Sequence, residues 1–190
     1  MRAPTCRLDE RRIGVAITVP DPWGSQLRQA RASYGDIDAT TVPTHITLVP
    51  PTCVPCSQPD VLEAHLVQAA SQVKPFTVLL RGTGSFRPRS PVVFIQLVEG
   101  ISGCEALHHH LLNGVLAQEL VFPYHPHVTV AQEVPAAQLT AAAADWLNFT
   151  AEFAVAQIDL YSQDAQGVWQ TEQSFCLGTG AKPASSGASQ

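Results

Sequence analysis

The sequence is short of charge. Only 14% of its 190 residues are Asp, Glu, Lys or Arg, and 11 basic residues stand against 16 acidic ones, a net of −5. A protein that grips long duplex DNA presents a dense basic footprint to the phosphates, so no DNA duplex is expected as a partner. A small phosphate site made from a few local donors is not excluded. Long hydrophobic runs are missing too. The first apolar stretch, Ile13–Val19, stops at Pro20, far short of the roughly 20 residues a spanning helix needs, and residues 1–12 show no secretory pattern. No membrane is expected as a partner, and a cytoplasmic location is. Cysteine is sparse and odd in number. Cys6, Cys53, Cys56, Cys104 and Cys176 are dispersed and do not read as a disulfide framework. A chain of this length buries roughly two thirds of its unfolded surface and needs no such staples.

What is present alternates between strand and helix patterns. Residues 1–12 read as a flexible lead-in, 13–177 as a single domain of two small lobes, and 178–190, with no large apolar side chain, as a disordered tail. Ile13–Val19 is rich in β-branched residues and reads as a buried strand. Asp21-Pro22 opens a helix that runs to Tyr34. His45–Val49 alternates and is closed by Pro50-Pro51, a short strand. A second helix opens at Ser57–Asp60. Phe76–Leu80 and Val92–Val98 pair as an antiparallel hairpin, with Gly82–Ser85 as a break. A third helix is predicted from Ser102 to Leu120, with Glu105 at capping-box spacing. His127–Ala131 is a strand and Pro135–Leu147 a helix. Phe149–Tyr161 reads as one long strand with a bulge after Val155, and Trp169–Leu177 as the last strand. The class is α+β.

One short unit occurs twice. His45-Ile46-Thr47 and His127-Val128-Thr129 both follow a proline, and both open a strand. Alternation along a strand sends the His and Thr side chains to one face, about 7 Å apart, and the residue between them to the other. Two such strands brought together would supply two imidazoles and two hydroxyls. That set suits a phosphodiester. Histidine, titrating near pH 6.5, can act as general base toward the attacking oxygen or general acid toward the leaving one. The hydroxyls can hold the non-bridging oxygens as charge develops there. The arrangement calls for no metal and no cofactor.

The doubled motif, with its flanking segments Pro123–Ala131 and Gly82–Pro88, resembles the 2H phosphoesterase superfamily, which includes the 2′-5′ RNA ligase-like proteins and cyclic phosphodiesterases. The likeness covers most of residues 12–178. It implies a bilobal, pseudo-twofold fold in which two antiparallel sheets form a central cleft with helices packed outside. It implies His45 and His127 as the catalytic acid–base pair and Thr47 and Thr129 as phosphate ligands, without assigning which histidine is the acid. The implied activity is hydrolysis or ligation at 2′,3′-cyclic phosphates or 2′-5′ linkages, with a small nucleotide or an RNA end as partner and the protein a monomer. The alternative is a non-catalytic module that binds nucleotides or RNA ends on the same fold.

Around that centre, Phe86, Arg87 and Arg89 sit in a Gly/Pro-rich loop, where the ring could stack on a base and the guanidinium groups could meet phosphates. The same residues would equally serve as a solvent-exposed hairpin tip. Tyr124 and His125 precede the second motif and either line the cleft or shape the turn. Cys53-Val54-Pro55-Cys56 has metal or redox spacing, and His108–His110 adds three imidazoles. No second cysteine pair completes a zinc site, and three consecutive helical positions fan apart, so no metal is expected.

Overall fold

A computed structural model describes residues 4–183. Among the described residues, eight strands form two sheets of four. Glu10–Thr18 (β1), His45–Pro55 (β2), Gln157–Gln163 (β7) and Trp169–Cys176 (β8) make one, in the order β2-β1-β7-β8. Phe76–Ser85 (β3), Val92–Glu99 (β4), His127–Gln132 (β5) and Thr150–Val155 (β6) make the other, in the order β5-β4-β3-β6. All pairings are antiparallel. The two motif-bearing strands, β2 and β5, hold equivalent edge positions and lie next to each other where the sheets meet.

Four α-helices among the described residues cover the sheets: Trp23–Ser33 (α1), Pro59–Ser71 (α2), Ile101–Leu111 (α3) and Ala136–Asp145 (α4). Two of them cross over. Helix α1 follows β1 in the first sheet but packs on β5 of the second, and α3 follows β4 in the second but packs on β2 of the first. Their apolar sides explain why. Leu27 and Ala30 of α1, and Cys104, Leu107 and Leu111 of α3, recur at helical spacing and are buried. Together with Ile46 and Leu48 of β2 and Val128 and Val130 of β5 they belong to one continuous apolar cluster. Neither sheet has a core of its own.

Several boundaries differ from the sequence reading, each for a physical reason. Strand β1 begins at Glu10 rather than Ile13, so part of the expected lead-in is paired. Strand β2 runs through Pro50-Pro51 to Pro55. It is an edge strand, where a missing N–H costs no ladder bond, and the register slips by one residue there, from Val15 opposite Val49 to Ile13 opposite Thr52. Gly82–Ser85 belongs to β3 instead of breaking it; Gly82 takes a positive φ of 64° at an irregularity in the β3–β4 pairing. Helix α3 stops at Leu111, nine residues before the expected end, because Asn113-Gly114 turns the chain, with Gly114 at φ 62°. The slip of apolar phase after Val155 is not a bulge. The chain leaves the second sheet there and enters the first at Gln157, with Ala156 alone between β6 and β7.

The cysteine reading is corrected as well. Cys6 and Cys53 form a disulfide, with their Cα atoms 5.4 Å apart, that fastens the segment before β1 to β2. The pairing bridges 47 residues, a separation that leaves no local signature. Such bonds persist in oxidising compartments and are kept reduced by cytosolic thiol pools, which takes away one support of the cytoplasmic expectation. Among the described residues no helix is long and apolar enough to cross a membrane. Of the expected tail, 178–183 is described and partly anchored: Gly178 N–H donates to the Ala70 carbonyl, and Lys182 pairs with Glu63 at 3.1 Å. Residues 184–190 lie outside the described residues.

Candidate active site

The motif strands alternate as a half-buried pattern demands. Ile46, Leu48, Val128 and Val130 are completely buried, whereas His45, Thr47, His127 and Thr129 are half-buried and share the opposite face. The two imidazoles are held the same way. His45 Nδ1–H donates to the carbonyl of Pro43 at 2.6 Å, and His127 Nδ1–H to the carbonyl of His125 at 2.7 Å. A carbonyl can only accept, so each bond fixes the tautomer and leaves Nε2 with the lone pair. In both copies the acceptor lies two residues upstream, at the turn the proline makes. The Thr47 hydroxyl donates to His45 Nε2 at 3.1 Å.

The walls differ. His127 stands against aromatic rings: Phe86 meets it edge-on at 4.9 Å between centroids, Phe94 lies at 5.1 Å and His125 at 6.3 Å. This desolvation pushes its pKa down to about 4, despite the opposing effect of its bond to His125, and charge on His125 or His45 adds to the lowering. The His45 contribution fits the contact between strands β2 and β5 that carry the two rings. His45 is also lowered, first by desolvation and then by the Arg31 guanidinium, against its bond to Pro43. Both rings are therefore neutral at pH 7 in the free protein. Titration of the His127 ring followed by NMR should show a midpoint near 4, moving up when inorganic phosphate is added, since an anion favours the imidazolium. A midpoint near 6.5 without phosphate would contradict this packing.

The floor beside His45 is a closed polar network. The Asp159 carboxylate is buried and accepts from Thr18 Oγ1, from Ser174 Oγ at 2.5 Å and from Gln157 Nε2 at 3.0 Å. Because the Thr18 proton goes to Asp159, the Tyr161 hydroxyl donates to Thr18 Oγ1, at 2.5 Å. The Tyr161 ring lies 6.4 Å from that of His45, and burial raises its hydroxyl pKa. Sequence reading did not single out Thr18, Asp159, Tyr161 or Phe94. Asp159 and Tyr161 are two apart in a strand, the spacing that puts side chains on one face, but nothing in the sequence shows that this strand runs beside β1.

Of the more peripheral candidates, Phe86 does reach the site, as does His125, whose ring packs against Phe86 and Phe94 at 5.6 and 5.4 Å. Arg87 turns away. Its guanidinium donates to Ser85 Oγ and to Thr140 Oγ1 of α4, each at 3.2 Å. Arg89 is exposed in the same loop. Tyr124 presents its hydroxyl to the Thr47 carbonyl, at 2.9 Å, rather than to open solvent. Cys53 is oxidised and Cys56 exposed, and the three histidines of α3 part company: His108 is buried while His109 and His110 are not. Among the described residues no three His, Cys, Asp or Glu side chains gather as a metal site.

Gly84 is required by the Phe94 wall. A Cβ at that position would come within 2.6 Å of the Phe94 ring. Gly84→Val should cost about 1–3 kcal/mol by overpacking, read as a lower denaturant midpoint. An unchanged midpoint would mean that Phe94 has somewhere else to go.

Comparison with known proteins places this geometry. The 2′-5′ RNA ligase superfamily matches residues 19–167. A Bacillus cytotoxicus protein provisionally named a phosphoesterase is 31% identical over 147 residues, covering 74% of this chain and 83% of its own length. A similarly named protein of Bacillus cereus is 30% identical over 145 residues, covering 73% and 81%. Among solved structures, E. coli LigT complexed with 3′-AMP superimposes with a TM-score of 0.59 at 20% identity, over 88% of this chain and 98% of LigT. The Thermus thermophilus protein TT0787 gives 0.61 at 22%, over 90% and 100%. The extent of the family match and the identity to the Bacillus proteins, on a fold with paired His-x-Thr edge strands, show that the chain belongs to the 2′-5′ RNA ligase superfamily of 2H phosphoesterases.

Proposed function

We propose that this protein is a phosphoesterase acting on 2′,3′-cyclic phosphates or 2′-5′ linkages of nucleotides or RNA ends, with His45 and His127 as the acid–base pair, Thr47 and Thr129 as phosphate ligands, and no metal in the reacting centre. The observation that carries this reading is the matched presentation of the two imidazoles, each with Nδ1–H spent on a main-chain carbonyl and Nε2 left for chemistry.

In hydrolysis, one neutral Nε2 takes a proton from water as the water oxygen bonds to phosphorus. The bond from phosphorus to the 2′ or 3′ oxygen breaks, and the other ring, as imidazolium, protonates that oxygen. A phosphomonoester remains. With a 5′-hydroxyl in place of water the same transfers give ligation. Low pKa values keep both rings neutral until substrate arrives; the phosphate anion then favours a proton on one of them. Thr47 exchanges its bond to His45 for a non-bridging oxygen, and Thr129 supplies a second hydroxyl from the other strand. Phe86 offers an aromatic edge for a base. A small nucleotide as ligand is also in keeping with E. coli LigT, which has been crystallised with 3′-AMP and with ATP.

The test is a screen in EDTA of 2′,3′-cyclic mononucleotides, 2′-5′ dinucleotides and ADP-ribose cyclic phosphate, set against the His45→Ala/His127→Ala double variant. Turnover lost in the double variant is expected. Turnover that survives in it, or that appears only when a metal is restored, overturns the proposal.

A further inference from the structure

We infer that Tyr124 and His108 act together as a positioning pair that sets the spacing between the two histidine motifs. The inference rests on the acid–base reading above and adds residues to it.

Strand β2 is an edge strand, so one side of its backbone has no neighbour in its own sheet. Two of its consecutive carbonyls are instead bonded by side chains that come from the other half of the molecule. The Tyr124 hydroxyl donates to Thr47 O at 2.9 Å, and His108 Nδ1–H donates to Leu48 O at 2.7 Å. The two rings lie flat on each other, with centroids 3.8 Å apart and 9° between their planes. His108 is buried and Tyr124 half-buried, so each hydrogen bond is made where an unpaired partner would be costly. The stack makes the pair one rigid unit, and neither ring can leave its carbonyl without disturbing the other.

What the unit connects gives it a role beyond packing. The Thr47 peptide whose carbonyl is held carries the hydroxyl bonded to His45 Nε2. Tyr124 lies three residues before His127, in the segment whose His125 carbonyl orients the His127 ring. A short path therefore runs from His45 through Thr47 and Tyr124 to His127, with α3 bracing it through His108. Gln118 Nε2, donating to Thr52 Oγ1 at 3.0 Å, holds the same segment along β2 farther from the motif. No other hydrogen bond between side chain and backbone joins the two motif segments this closely among the described residues. Displacements of about 1 Å in such a site can cost on the order of 100-fold in rate.

The experiment uses Tyr124→Phe, which keeps the stack and removes the hydroxyl, and His108→Leu, which removes the donor. His108→Asn restores an amide N–H near the position of Nδ1. Steady-state kinetics on a 2′,3′-cyclic nucleotide should show kcat lower by about 10- to 100-fold in Tyr124→Phe and His108→Leu, with KM within about threefold of wild type, and recovery in His108→Asn. In parallel, the His127 ring is titrated by NMR. In both loosened variants its midpoint should rise modestly, because the charge of His45 recedes with β2 while Phe94, on the strand paired to β5, stays against the ring. Lower melting temperatures with unchanged kcat and an unchanged His127 titration would reduce the pair to packing and overturn the inference. If wild type turns over no cyclic phosphate, the acid–base reading fails, and the His127 titration still decides whether the pair sets the spacing.

Discussion

Replacement of either His45 or His127 by alanine is expected to lower kcat toward 2′,3′-cyclic nucleotides by about 10²–10⁴ each, the range for a lost proton transfer. The double variant should fall little further than the worse single one, because groups that act as a unit are not additive. Stability should hardly change. Both rings are half-buried and face the cleft, and the apolar residues that carry the strands, Ile46, Leu48, Val128 and Val130, are untouched. The two losses need not be equal: His127 stands against the aromatic wall, whereas His45 is tied to Thr47 and stands beside the Asp159 network. Circular dichroism and a denaturant midpoint alongside the kinetics separate chemistry from folding. Two fully active single variants would remove the proposed mechanism.

The second large effect concerns stability. Cys6 and Cys53 close a loop of 47 residues in the unfolded chain. Loop-closure entropy for that length amounts to about 4 kcal/mol, a substantial part of the roughly 5–15 kcal/mol typical of a whole domain. The Cys6→Ser/Cys53→Ser variant, or wild type under reductant, should therefore unfold at much lower denaturant concentration. Activity at low temperature should survive, since the bond lies toward the far end of β2 from His45. A stability change below about 1 kcal/mol would show that the unfolded chain is already constrained between these residues. Free Cys104 should not complicate the reduced sample, because burial holds its thiol pKa up at about 12.

How much of this is legible in the sequence follows a physical line. The His-x-Thr pairs can be read because strand alternation is local: the burial of Ile46 and Val128 follows from period two, and the exposure of the polar pair comes with it. The α+β class and the hairpin of β3 and β4 can be read for the same reason. What cannot be read depends on partners far away in sequence. Pro50-Pro51 looks like a strand end until β2 is known to be an edge. The phase slip at Ala156 looks like a bulge until β6 and β7 are known to lie in different sheets. Cys6 and Cys53 carry no pairing signal, and Asp159 joins the site only because β7 lies beside β1. The sharpest difference is at Tyr124. Its place before the second motif suits a cleft or a turn residue, yet its hydroxyl goes to a backbone carbonyl on the opposite strand.

The crossed helices bear on how the cleft behaves as a machine. With α1 seated on the second sheet and α3 on the first, swinging the halves apart would drag Leu27 and Leu107 out of apolar contact into water, an unfavourable change of about 1.5–3 kcal/mol for each such side chain fully exposed. The groove is thus a fixed fixture rather than a jaw. Its ligands must fit a shape present before they arrive, and selectivity falls to the contour of the rim, so that variants which alter substrate choice should map to the loops around the opening and not to a hinge.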